Sequence, residues 1–78
     1  MDAIEITVHF DEHGKATPLN FTWRDSHYTV ESTGRRWQAA DGQHILAMTT
    51  GGRIFELLFV PIANCWYLGR VEPERTVA

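Results

Sequence analysis

One cysteine, Cys65, stands alone in 78 residues, so neither an internal disulfide nor an all-cysteine metal site can form. Proline occurs three times and glycine six, against nine aromatic residues and a hydrophobic share of 44%, which excludes a disordered tract or a collagen-like repeat. Long apolar runs are missing too. The longest, Leu57 to Ala63, is broken by Pro61 and falls far short of the roughly 20 residues that cross a bilayer. Asp2 and Glu5 do not suit a secretory leader, and with no disulfide available the expected setting is a reducing, cytoplasmic one, with no membrane contact.

Positive charge is scarce. Seven Lys and Arg face ten Asp and Glu, a formal net charge of −3, whereas a nucleic-acid coat needs surplus cations. Six of the seven cations are arginine, which favours bidentate or stacked contacts. At this length the chain makes one domain, residues 1–78, with a core from about 4 to 72 and a short charged tail. Such a chain buries about 60 to 65% of its unfolded surface, too little to enclose a deep substrate cavity.

What is present is strand periodicity. Ile4, Ile6, Val8 and Phe10 alternate with polar residues, and so do Leu19, Phe21 and Trp23 after Pro18. Asp11 to Lys15 and Arg24 to His27 supply turn chemistry, and Tyr28 and Val30 resume the apolar face. Ser32-Thr33-Gly34 suggests a break before a short strand around Trp37, and Asp41-Gly42 suggests a type I′ hairpin turn. Ile45–Thr49, Ile54–Val60 and Cys65–Val71 complete the set. No window repeats apolar residues at three and four over ten positions, so no helix is expected. The expected fold is all-β: a small antiparallel meander of six or seven short strands, strongly twisted or curled into a partly open barrel. Its interior would gather Trp23, Tyr28, Phe55, Phe59 and Trp66.

Chemistry-bearing patterns are weak. His9, Asp11 and His13 alternate and could share a strand face as metal ligands, but no fourth ligand is evident and the turn at Gly14 accounts for them. Asp25-Ser26-His27 carries the letters of a hydrolytic triad, yet adjacent turn residues do not converge in space. Cys65 has no evident histidine partner, so no catalytic, metal or cofactor residue is assigned and an enzyme is not expected. Two or more of His9, His13, His27 and His44 around one cleft would reverse that. Glu56, on an otherwise apolar strand, should face solvent or meet an arginine such as Arg53 or Arg70.

Phe21-Thr22-Trp23-Arg24, Tyr28-Thr29-Val30, Trp37, Arg53-Ile54-Phe55-Glu56-Leu57 and Trp66-Tyr67-Leu68 with Arg70-Val71 form a longer pattern. Over about Leu19 to Val71 it resembles a family of short bacterial proteins of unknown function. The resemblance implies a shared fold and no assigned activity. Relatives encoded near translesion DNA polymerase genes imply an accessory role at most.

Two functions remain in view. The first is a non-enzymatic interaction module that joins a protein partner or its own copy, as a homodimer, through an open edge or an apolar patch at Ile54, Leu58 and Val60. The alternative is a single-stranded nucleic-acid binder using Arg24, Arg35, Arg36 and Arg53 beside Trp37.

Overall fold

The computed structural model describes residues 2–71. They form β1 (Asp2–Phe10), β2 (Ala16–Trp23), β3 (Ser26–Ala39), β4 (Gly42–Thr49), β5 (Ile54–Val60) and β6 (Cys65–Val71). Every strand runs antiparallel to its sequence neighbours, and β6 returns to β1, so the meander closes into a six-stranded barrel. The charged tail expected after Val71 lies outside the described residues. Among them, no helix is long and apolar enough to cross a membrane.

Closure follows from which side chains need cover. Phe21, Ile45, Ala47, Phe55 and Leu57 have no exposed surface, and Leu68 and Trp66 are nearly as deep. Phe55 sits among Tyr28, Phe21 and Trp23, with ring centroids 4.8, 5.1 and 6.1 Å away. Phe59 and Trp66 form a second pair at 5.0 Å toward the other end. Edge and tilted contacts of this kind add to the gain from hiding apolar surface. The expected interior aromatics are therefore divided between two layers.

Two seams complete the cylinder. Among the described residues, β1 joins β6 through three residue pairs, Asp2↔Leu68, Ala3↔Tyr67 and Ile4↔Trp66. Beside it, the Trp23 indole Nε1 donates to Asp2 Oδ2 at 2.9 Å, which holds that carboxyl below its usual range. β2 and β3 are paired only where Asn20–Trp23 meets Ser26–Thr29. Farther along, the Arg36 guanidinium donates to the Ala16 carbonyl across the gap.

Several details depart from the alternation read in the sequence. Leu19 is 44% exposed, although it alternates with Phe21 and Trp23. Thr7 pairs with Asn20 and Val8 with Pro18, so Leu19 is an unmatched extra residue, and the bulge turns it outward while Pro18 takes the interior position. β3 does not break at Ser32-Thr33-Gly34 but runs for 14 residues. It absorbs the curvature in two register shifts, at Val30/Ser32 and Thr33/Arg36.

Turn chemistry departs too. In the β2–β3 hairpin the two turn residues with positive φ are Arg24 (50°) and Asp25 (62°), a pair of values that suits the twist of β2 and β3. In the β3–β4 hairpin the turn falls one residue earlier than expected, on Ala40 and Asp41, and Gly42 opens β4 with φ of 147°. A Cβ at Gly42 would stand 2.2 Å from the Phe59 carbonyl oxygen, so the glycine serves close strand approach as well as the bend.

Truncating Phe55 to alanine should cost about 3 to 5 kcal/mol, because the hole would open where four rings meet. Leu19→Ser should stay within about 0.5 kcal/mol of the parent, as its side chain lies outside the barrel. Urea denaturation of the two variants checks both values.

Candidate functional site

Strand alternation gives the sheet of β3 to β6 an outer face. On β5 it carries Ile54, Glu56, Leu58 and Val60, while Phe55, Leu57 and Phe59 point inward. Opposite them on β4 stand Met48, Leu46 and His44, and Trp37 of β3 lies across from His44. A groove of about 250 Å3 opens on this face, lined by Arg35, Trp37, Leu46, Ile54, Glu56 and Arg70. A second hollow of about 230 Å3 shares Leu46 and Ile54 and continues past Met48 and Gly34. Most of its lining surface is apolar.

His44 anchors one side of the groove. Its ring stacks on Trp37 at 4.9 Å and 12°, and Nε2 lies 2.8 Å from Asp41 Oδ1 while Nδ1 lies 3.2 Å from Glu56 Oε2. Both nitrogens can donate at once only in the imidazolium form. The hydrogen bond to Asp41, aided by that to Glu56, raises the His44 pKa above its ordinary 6.5 against the opposing effect of partial burial. The same contact holds the Asp41 carboxyl below its usual range. Glu56 can lie where it does because residue 69 has no side chain: a Cβ there would be 2.9 Å from Glu56 Oε2. Glu56 thus meets a histidine, where solvent or an arginine such as Arg53 or Arg70 was expected. Arg70 is its partner in strand register.

The other positions singled out in the sequence are dispersed. Ile54 lines both hollows. Leu58 does not belong to an exposed patch: it is 1% exposed, flanked by His44 and Tyr67 and approached by the Gly42 backbone. Val60 is half-buried at the far end of β5. Arg35 rests on the Trp37 ring at 5.2 Å, whereas Arg36, one residue on, turns to Ala16. Arg24 lies 4.6 Å over Trp23 and Arg53 5.3 Å over Phe55, both at the end of the barrel that carries the β2–β3 and β4–β5 turns. Asp11 Oδ1 accepts from the backbone N–H of His13 and Lys15 at 2.9 and 2.8 Å, making it a turn carboxylate.

Leu46 and Met48 were not among the positions marked for function, whereas Arg70 and His44 were named, as a partner for Glu56 and as one of four histidines. Registering Ile54–Val60 against Ile45–Thr49 would have brought the first two beside Ile54, but register is not written in either strand alone. The chain matches no protein-family model, no curated protein and no solved structure.

The raised His44 pKa sets a stability window. A cation held more firmly in the fold than in the unfolded chain stabilises fully below the ordinary value, and that contribution disappears as pH rises through the raised one. Unfolding midpoints of the parent should therefore fall as pH climbs above 6.5, and His44→Gln should flatten that slope. Thermal melts across the window provide the check.

Proposed function

We propose that this barrel is a non-enzymatic interaction module that holds a segment of another protein on the outer face of β3 to β6. The observation that carries this reading is the continuous apolar floor made by Leu46, Met48 and Ile54, open to solvent and walled by Trp37. Met48 is 38% exposed at the edge of that floor. A partner that covered it would gain by removing apolar surface from water.

Barrel closure changes the route of binding expected from the sequence. Each strand already has two neighbours, with unpaired backbone left beside the two seams, so side-chain recognition on a face is favoured over an added edge strand. The nucleic-acid alternative would need Arg24, Arg35, Arg36, Trp37 and Arg53 on one surface. Their dispersal over both barrel ends and the outer face gives the protein-binding reading the better support.

Dodecapeptides selected from a random phage library on the immobilised chain should shift the backbone amides of Leu46, Met48 and Ile54 in 15N spectra. Met48→Glu with Ile54→Glu should remove the binding and leave the barrel folded, as both side chains keep partial exposure. Selection that enriches nothing over the bare support, or shifts confined to the barrel ends, would overturn the reading. A concentration-dependent dimer lost in the same double variant would place a second copy on this face.

A further inference from the structure

Two guanidinium groups rim the groove, and their situation differs from that of the other arginines. Arg35 and Arg70 are both exposed and stand on the strands that flank β4 and β5. Among the described residues, neither has a carboxylate within 4 Å. The carboxylate that does enter the groove, Glu56, is held by His44 Nδ1 at 3.2 Å and leans over Gly69. Arg36, by contrast, is spent on the Ala16 carbonyl.

The local charge departs from that of the chain. With His44 protonated, Arg35, Arg70 and His44 outnumber Asp41 and Glu56 by one, on a protein of formal net charge −3. Away from the arginines the floor turns apolar, through Leu46 and Ile54 to Met48. A complementary occupant must therefore offer negative charge at one end and apolar side chains along the rest. Paired guanidinium groups suit planar carboxylates.

A nucleic-acid strand fits less well. Trp37 already carries the His44 ring at 4.9 Å and the Arg35 guanidinium at 5.2 Å, which leaves little open ring surface for a base to stack on. Two cations would also neutralise few phosphates.

We infer that the outer face of β3 to β6 receives an acidic and apolar segment of a partner protein, with Arg35 and Arg70 on its carboxylates and Leu46, Met48 and Ile54 under its apolar side chains. This rests on the docking reading above and names the chemistry of the occupant. The contact is small, so exchange should be fast and weakened by salt.

Fluorescence polarisation tests it with three labelled nonapeptides of alternating residues: leucine with aspartate, leucine with asparagine, and leucine with lysine. The leucine–aspartate peptide should bind best and shift the amides of Leu46 and Ile54. Arg35→Gln with Arg70→Gln should weaken it about tenfold, the sum expected for two exposed charge contacts, while Arg24→Gln changes it less than about twofold. Urea curves should overlay for all three chains. Equal binding of the asparagine peptide at the same amides would overturn the acidic specificity and leave the docking reading standing. Failure of every peptide to shift the groove would overturn both. Retention of an oligothymidine strand that is lost with Arg35→Gln and Arg70→Gln would assign the groove to nucleic acid and overturn the inference.

Discussion

A sheet of six short strands can hide one of its faces without a second layer only by curling until its first and last strands meet. Here that meeting is narrow. Among the described residues three pairs join β1 to β6, and the contact holds because the rings of Phe21, Tyr28 and Phe55 fill the interior from neighbouring strands. Hiding these rings supplies the drive for closure, and closure in turn shortens the free edges to the unpaired stretches beside the two seams. The register shifts in β1–β2, β3–β4 and β5–β6 bend the strands enough to make the circle.

The outer face is a by-product of the same geometry. Strands that must alternate present every second side chain to the outside, and in β3 to β6 those include Trp37, Leu46, Met48, Ile54 and Leu58. The chain covers part of this surface with its own residues. Leu58 is sealed by neighbours, and Trp37 is stacked on an imidazole gripped from both sides by carboxylates. Leu46, Met48 and Ile54 keep partial exposure, and the two arginines stand over them. Small size explains the remainder: one barrel has no second layer to lay over its outside.

Glu56 shows how a polar residue in an apolar strand reorganises its surroundings. Its carboxylate needs a partner and room, and finds them in His44 Nδ1 and in the missing side chain at Gly69. That choice leaves Arg70 without the glutamate opposite it in register, and the groove keeps two accessible cations as a result. One histidine thereby links the titration of the fold to the charge of the face.

Read alone, the sequence determined the all-strand composition and the alternating series of β1, because a period of two is a local property of pleated chain, and the bounds Ile54–Val60 and Cys65–Val71, because Gly52, Pro61 and Asn64 punctuate the chain there. It also marked the chain positions of the hairpins through Gly, Asp and Asn. Tertiary structure alone decided that the meander closes, that Leu19 turns outward at a bulge, that β3 passes through Gly34 unbroken, and that Leu58 is covered while Ile54 is not. Each of those depends on which residue of one strand lies opposite which residue of another. Register is set by the fit of many side chains at once, so residues as distant as His44 and Glu56 meet only after the whole sheet has chosen it.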